Sequence, residues 1–383
     1  MDFLSGITDG IGGFLYVLLP FLLVLTVVVF IHELGHFLVA RWCGVKVKAF
    51  SIGFGREIWG FVDKHGTRWR LAWIPLGGYV KFMDDENAAS TSPGNTANMS
   101  EEEKAGSFHA KPLWQRAAVV AAGPIANFLL AIVIFAMMFA LIGVRSTAPR
   151  VDEVVANSPA AAAGFKSGDI IRSIEGRAVD SFTEVLRAVS AAPGRQLSVV
   201  VDRGGADYTL NVTPERQEIS DNFGGTIVRG IIGIRRVTNP ETIEHRRAGP
   251  LEAVWLGVRE TNFIITSTLS YIGDVITGRQ RADQLGGPIR IAEVSGQVAK
   301  VGPEAMLNLI AVISVSVGLI NLFPIPLLDG GHLLFYAIEG LRRKPLSERT
   351  QEIGFRIGLA LVLMLMVFAT WNDRLIVWKW LTG

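Results

Sequence analysis

Residues 14–31, FLYVLLPFLLVLTVVVFI, carry no charge and continue directly into HELGHFLVA. A run of that length spans about 30 Å of hydrocarbon as a helix, and in lipid only a helix or a closed barrel satisfies its own backbone hydrogen bonds. Three further runs are similarly apolar: 117–144, which holds Gly123-Pro124, 305–328, and 354–371, which is charge-free at its centre. Their joint weight shows in a mean hydropathy of +0.37 and in 19% charged residues, against about 25% in ordinary soluble chains. The expected fold class is therefore a polytopic α-helical membrane protein of about four transmembrane helices. Lys and Arg number 37 against 35 Asp and Glu, so no concentrated positive field points to nucleic acid. The single cysteine, Cys43, excludes an intramolecular disulfide and any multi-cysteine metal site. The opening MDFLSGITDG lacks the basic flank and cleavage site of a signal peptide and reads as retained.

Basic residues collect on the cytoplasmic side of short loops. Arg41, Lys46, Lys48, Lys111 and Arg116 lie between the first two runs, and Arg342, Arg343, Lys344 and Arg349 between the last two. Both loops are expected inside, which puts the termini and the long 145–300 stretch outside. The chain then divides into a first span (1–40), a strand-rich cytoplasmic or membrane-dipping loop (41–116), a second span (117–144), an outer domain (145–240), an amphipathic interfacial helix with linker (241–304), a third span (305–340), a basic turn (341–353), and a fourth span with tail (354–383). Within 145–240, VDEVV, IIRSIEG, LSVVVDRGG and YTLNVTPE read as strands and SFTEVLRAVSAAPG as a helix, a small mixed α/β domain. Residues 250–277 carry Glu252, Arg259, Glu260 and Asp274, too many charges for a comfortable span. Gly123-Pro124 is expected to kink the second span.

The chemistry concentrates in His32-Glu33-Leu34-Gly35-His36. Two imidazoles at i and i+4 share one helix face and can hold one metal ion, with the intervening Glu placed to take a proton from water. A satisfied polar cluster or a proton relay are the other readings of such residues. A catalytic zinc needs a third protein ligand and an open position. The other strongly polar cluster at membrane depth is NLFPIPLLDGGH, 321–332, where Pro324 and Pro326 forbid a regular helix and Gly330-Gly331 relaxes the backbone. Asp329 is the leading third ligand there, His332 its rival, and a helix cap the plain alternative. Both clusters close an inward-running span, so they lie at one depth.

HELGH, GPIAN (123–127) and NLFPIPLLDGG together resemble the site-2 protease family of intramembrane zinc metalloproteases, in the variety represented by bacterial regulators of sigma-E. FSIGFG (50–55), IPLGGYVKF (74–82) and SPAAAAGFKSGD, similar to part of a PDZ domain, extend the resemblance over nearly the whole chain. It implies one Zn2+ held by His32, His36 and Asp329, Glu33 as general base, and supporting roles toward substrate or transition state for Asn321, Asn127, Gly77, Gly78 and Tyr79. It further implies a bacterial inner-membrane location, single-span membrane proteins as substrates, peptide tails at an extracytoplasmic PDZ domain, and a membrane-associated β-sheet beside the site. Only one PDZ-like motif is present, where such proteases often carry two, and Ser316 replaces a family asparagine five residues before Asn321. A catalytically silent scaffold with a structural metal is the alternative, and the retained Glu33 speaks against it because a structural zinc needs no base.

Overall fold

The computed structural model describes residues 2–84, 101–146, 148–220, 226–236, 244–279 and 286–373. Four helices in it are long and apolar enough to cross a membrane: Leu15–Trp42, Leu113–Leu141, Pro303–Asn321 and Arg349–Asn372. The chain is a multi-pass membrane protein. Leu15–Trp42 is the latter part of a helix, Asp2–Trp42, that stops at Gly44, whose φ of +71° suits a residue without a β-carbon. Leu113–Leu141 runs as one helix through Pro124, so Gly123-Pro124 does not end it. Pro250–Ile276 is a helix as expected but is not among the apolar spans.

Two compact units divide the chain. In the unit holding Met1–Phe135 and Gly286–Asp373, the first and second span helices meet through small residues. A β-carbon built on Gly35 would lie 2.3 Å from the Ala122 carbonyl oxygen, so the glycine of HELGH is what lets the backbones close, the usual device where lipid supplies no hydrophobic drive. Pro288–Val301, expected as linker, is a further helix. Its Gly296 faces Val17 of the first helix.

Strands Val47–Val62 and Arg68–Phe82 bend back on themselves, so two strands make a sheet of four segments. Ala49–Ile52 pairs with Gly78–Lys81 on one side and, residue for residue in the same order, with Arg68–Leu71 on the other; Arg68–Ala72 also pairs with Glu57–Val62. Phe50 locks this sheet onto the HELGH helix: it is fully buried, with ring centroids 5.5 Å from Phe37 and 4.4 Å from Trp69. The segment Gly78–Phe82 thereby becomes one of the two outer segments of the described sheet, Glu57–Val62 being the other.

The third span breaks where its prolines predict. Pro303–Asn321 is helical, 322–328 is irregular, and a helix resumes at Asp329–Arg342. Gly330 and Gly331, expected to loosen the chain, instead form the first turn of that helix. The reason is space: β-carbons there would strike the carbonyl oxygens of Leu322, Phe323 and Ile325 at 2.3–2.4 Å.

The other unit contains a four-stranded sheet ordered Arg177–Ala178, Ile170–Ile174, Leu197–Arg203, Ala206–Val212, with short helices Pro159–Ala163 and Phe182–Ser190. Leu197, Val199 and Val201 alternate inward as a half-buried strand requires and join Ile171, Val185 and Val212 in one core. Arg203 pairs in two-pronged fashion with buried Asp169, at 2.7 and 2.8 Å. The strand pair Glu215–Ser220 and Thr226–Ile231 follows.

Candidate metal centre

On the first helix, His32 and His36 sit one turn apart, and the break after Asn321 swings Asp329 toward them. Nε2 of His32 and Nε2 of His36 are 3.2 Å apart. Asp329 Oδ2 lies 3.1 Å from the first and 3.5 Å from the second. Among the described residues these three form a group whose ligand atoms could hold one metal ion. The triangle fits zinc: bonds of about 2.0–2.1 Å at tetrahedral angles set ligand atoms roughly 3.3 Å apart. The donor set, two imidazoles and one carboxylate, is also that of catalytic zinc sites, which keep a fourth position open. His36 is oriented for the task, because its Nδ1 is 2.8 Å from the Val119 carbonyl oxygen. A carbonyl only accepts, so Nδ1 carries the proton and Nε2 presents its lone pair.

The three residues open on a cavity of about 260 Å³, also lined by Glu33, Tyr79 and Asn321. Glu33 reaches it from the same helix. The backbone N–H of Val80, in an outer sheet segment, faces its carboxylate, and Gly78 leaves the room, since a β-carbon there would come within 3.0 Å of Glu33 Cγ. Tyr79 receives a hydrogen bond from Arg70 at 2.9 Å. Leu327, on the wall, adopts φ +100°. Left-handed backbone at a leucine is strain, stored here two residues before Asp329.

The structure sorts the expected residues. His32, His36 and Asp329 converge, with Glu33, Gly78, Tyr79 and Asn321 around the same cavity. His332, the rival ligand, also lines it but stands outside the three-ligand group. Asn127 is fully buried, behind His32, with its amide Nδ2 3.3 Å from His32 Nδ1. Gly77 faces the Phe54 ring instead. Ser316 spends its hydroxyl on the Val312 carbonyl of its own helix. Sequence reasoning missed Gly123, where a β-carbon would fall 2.3 Å from His36 Nε2; its pairing with Pro124 drew attention to a kink rather than to the bare surface it offers the imidazoles.

A multi-span membrane protein whose His-Glu-x-x-His helix shares a ligand triangle with an aspartate from just beyond a distant span is, as a class, a membrane metalloprotease. The profile of peptidase family M50 matches residues 20–365, and the chain belongs to that family. It is 53% identical over 374 residues, 97% of this chain and 98% of the relative, to a provisionally named zinc metalloprotease of Agrobacterium fabrum. It is 49% identical over 371 residues, 96% and 98%, to one of Rhizobium meliloti that carries the same kind of name. Identity to metalloprotease MmpA of Caulobacter vibrioides is 40% over 396 residues, covering 97% and 99%.

Proposed function

We propose that this protein is an intramembrane zinc endopeptidase that cuts the transmembrane segments of single-span membrane proteins. The observation that carries the reading is the triangle of His32, His36 and Asp329 with the Glu33 carboxylate beside it, two of its ligands on a candidate span and the third on the helix that follows another after the 322–328 break. Zinc, when bound, supplies a Lewis acid that polarises a peptide carbonyl and brings the pKa of water toward neutrality. Glu33 takes the proton of the attacking water and delivers it to the leaving nitrogen. Asn321 and Tyr79 stand on the cavity wall as donors able to meet the developing oxyanion or the substrate backbone. The outer segment Gly78–Phe82 offers backbone groups on which an unwound substrate can lie as an added strand, a geometry that exposes its peptide bonds.

We read the site as lying toward the cytoplasm of a bacterial inner membrane, with both termini and the 145–240 domain outside, a reading the basic loops support. We read that domain as a PDZ module that screens the outer parts of substrates. Its four-stranded sheet, two short helices and the helix-capping Ser158 before the PAAAA turn support the assignment.

The test is cleavage of a single-span substrate by the full chain reconstituted in liposomes. Glu33→Gln is expected to abolish cleavage while zinc remains bound, and Asp329→Ala to abolish both. Undiminished cleavage by Glu33→Gln would sink the mechanism.

A further inference from the structure

His32 can ligate through Nε2 only if its proton resides on Nδ1, and among the described residues the polar side chain that meets that nitrogen is Asn127. We propose that Asn127 is a positioning residue that holds His32 in its metal-ready tautomer by accepting the Nδ1 proton on its amide oxygen. This rests on the zinc-site reading above.

Three observations carry it. As placed, Asn127 turns Nδ2 toward His32 Nδ1 at 3.3 Å, while its Oδ1 is buried with no hydrogen-bond partner among the described residues. A lone acceptor in a side chain of zero exposure is costly, and the two ends of an amide exchange by a half turn. That turn sets the oxygen against the Nδ1 proton, puts the amide nitrogen where the oxygen stood, and leaves Nε2 free to face His36 and Asp329. Second, the partner histidine is fixed by the same logic, through the Val119 carbonyl, so the two ligands use matched acceptors from one helix, Leu113–Leu141. Third, the backbone that carries Asn127 is itself held: its carbonyl accepts from Ser314 Oγ at 2.9 Å, and Gly318 of the same helix as Ser314 packs close to its β-carbon. A residue only filling space between helices needs no amide. A hydrogen-bonded acceptor behind a ligating imidazole raises ligand basicity and fixes the ring.

The experiment titrates the full-length chain in detergent with zinc against a chromophoric chelator. Asn127→Leu, similar in size but without an acceptor, is expected to weaken zinc ten- to a hundredfold. Asn127→Asp, which keeps the acceptor, is expected to stay within a few-fold of wild type. Zinc affinity unchanged in Asn127→Leu overturns the proposal, as does equal loss in both variants when both unfold at the wild-type temperature without zinc. Nitrogen NMR of the zinc-loaded wild type, labelled at histidine, needs no variant: a protonated His32 Nδ1 is expected, and a bare one refutes the assignment. His36→Ala and Asp329→Ala run alongside. If they bind zinc normally, the metal-site reading has failed; if they lose zinc while Asn127→Leu keeps it, only the role of Asn127 has.

Discussion

Gly123 stands against His36 with no room between them: a β-carbon at this glycine would lie 2.3 Å from the ring Nε2 and 2.9 Å from Cε1 of His32. The imidazole pair is thus seated on bare backbone of the second span helix. Gly123→Ala is expected to push both rings off the Asp329 carboxylate. Overpacking of this kind costs about 1–3 kcal/mol, and here it falls on ligand geometry rather than on the fold. Zinc content after dialysis should drop severalfold, and kcat/KM at least about tenfold, while helix content by circular dichroism is unchanged. Wild-type zinc content in this variant would show that the rings can yield.

The glycines at 330 and 331 act on the same site from the other side. Because a methyl group at either would meet the carbonyls of the irregular 322–328 segment, Gly330→Ala and Gly331→Ala are expected to lift the first turn of the aspartate helix. Asp329 moves with it. Thermal unfolding should fall by the equivalent of about 1–3 kcal/mol, with cleavage lost more steeply than stability, since the triangle tolerates little displacement.

Arg116 and Glu339 brace that helix at its far end. The guanidinium Nη2 is 2.6 Å from Glu339 Oε1 and stacks 4.9 Å above the Tyr336 ring, so one side chain ties the second span helix to the helix carrying Asp329. Arg116→Ala leaves a half-buried carboxylate unpaired and is expected to cost about 1–3 kcal/mol. Glu339→Gln, which still accepts the hydrogen bond, should cost less. Unfolding midpoints of the two variants in detergent decide the order, and reversal of that order refutes the brace.

Much of this architecture is legible in the residues. The apolar runs give the four span helices because length and absence of charge leave a lipid-embedded backbone few choices, and the HELGH spacing places two imidazoles on one face. Asp329 follows from being a lone carboxylate in proline-broken chain at the same depth. What is not legible depends on contacts between distant positions. Gly35, Gly123, Gly330 and Gly331 matter for what approaches them, which no local pattern encodes. Asn127 reads as ordinary helix glue until His32 is seen beside it. Pro288–Val301 lacks an apolar run and so passed for linker, and the first long strand hides its bend at Gly53 and Gly55, where φ is +86° and +88°.

Buried Asp84 ties the end of the sheet to the approach of the second span. It accepts from the Ser107 hydroxyl at 2.5 Å, from His109 Nδ1 at 2.9 Å, and from the backbone N–H groups of Phe108 and His109. Burial alone would raise its pKa, but these donors win and hold the carboxyl well below the usual range. The native chain therefore binds this proton less readily than the unfolded chain. The stabilisation is complete above the unfolded value of about 3.9 and fades as pH falls below it. The difference in unfolding midpoint between wild type and Asp84→Asn should shrink as pH falls from 5 toward 3. A difference that grows on acidification would reverse the sign of the argument.

Metal removal separates the ligands from the base. Zinc that binds the folded chain and not the unfolded one stabilises it by RT ln(1 + [Zn]/Kd), about 2.7 kcal/mol at a hundredfold excess over Kd. Three ligand atoms lie within hydrogen-bonding distances of one another at the triangle, so wild type should gain this increment on zinc addition and lose it to a chelator, with cleavage following in both directions. Glu33→Gln should gain the same increment with no cleavage, because it leaves the triangle intact and removes only the proton acceptor. Asp329→Ala should gain little, since two imidazoles on one helix turn are left to hold the ion alone. Equal zinc-dependent shifts in wild type and Asp329→Ala would place the ion elsewhere and detach Glu33 from its assigned role.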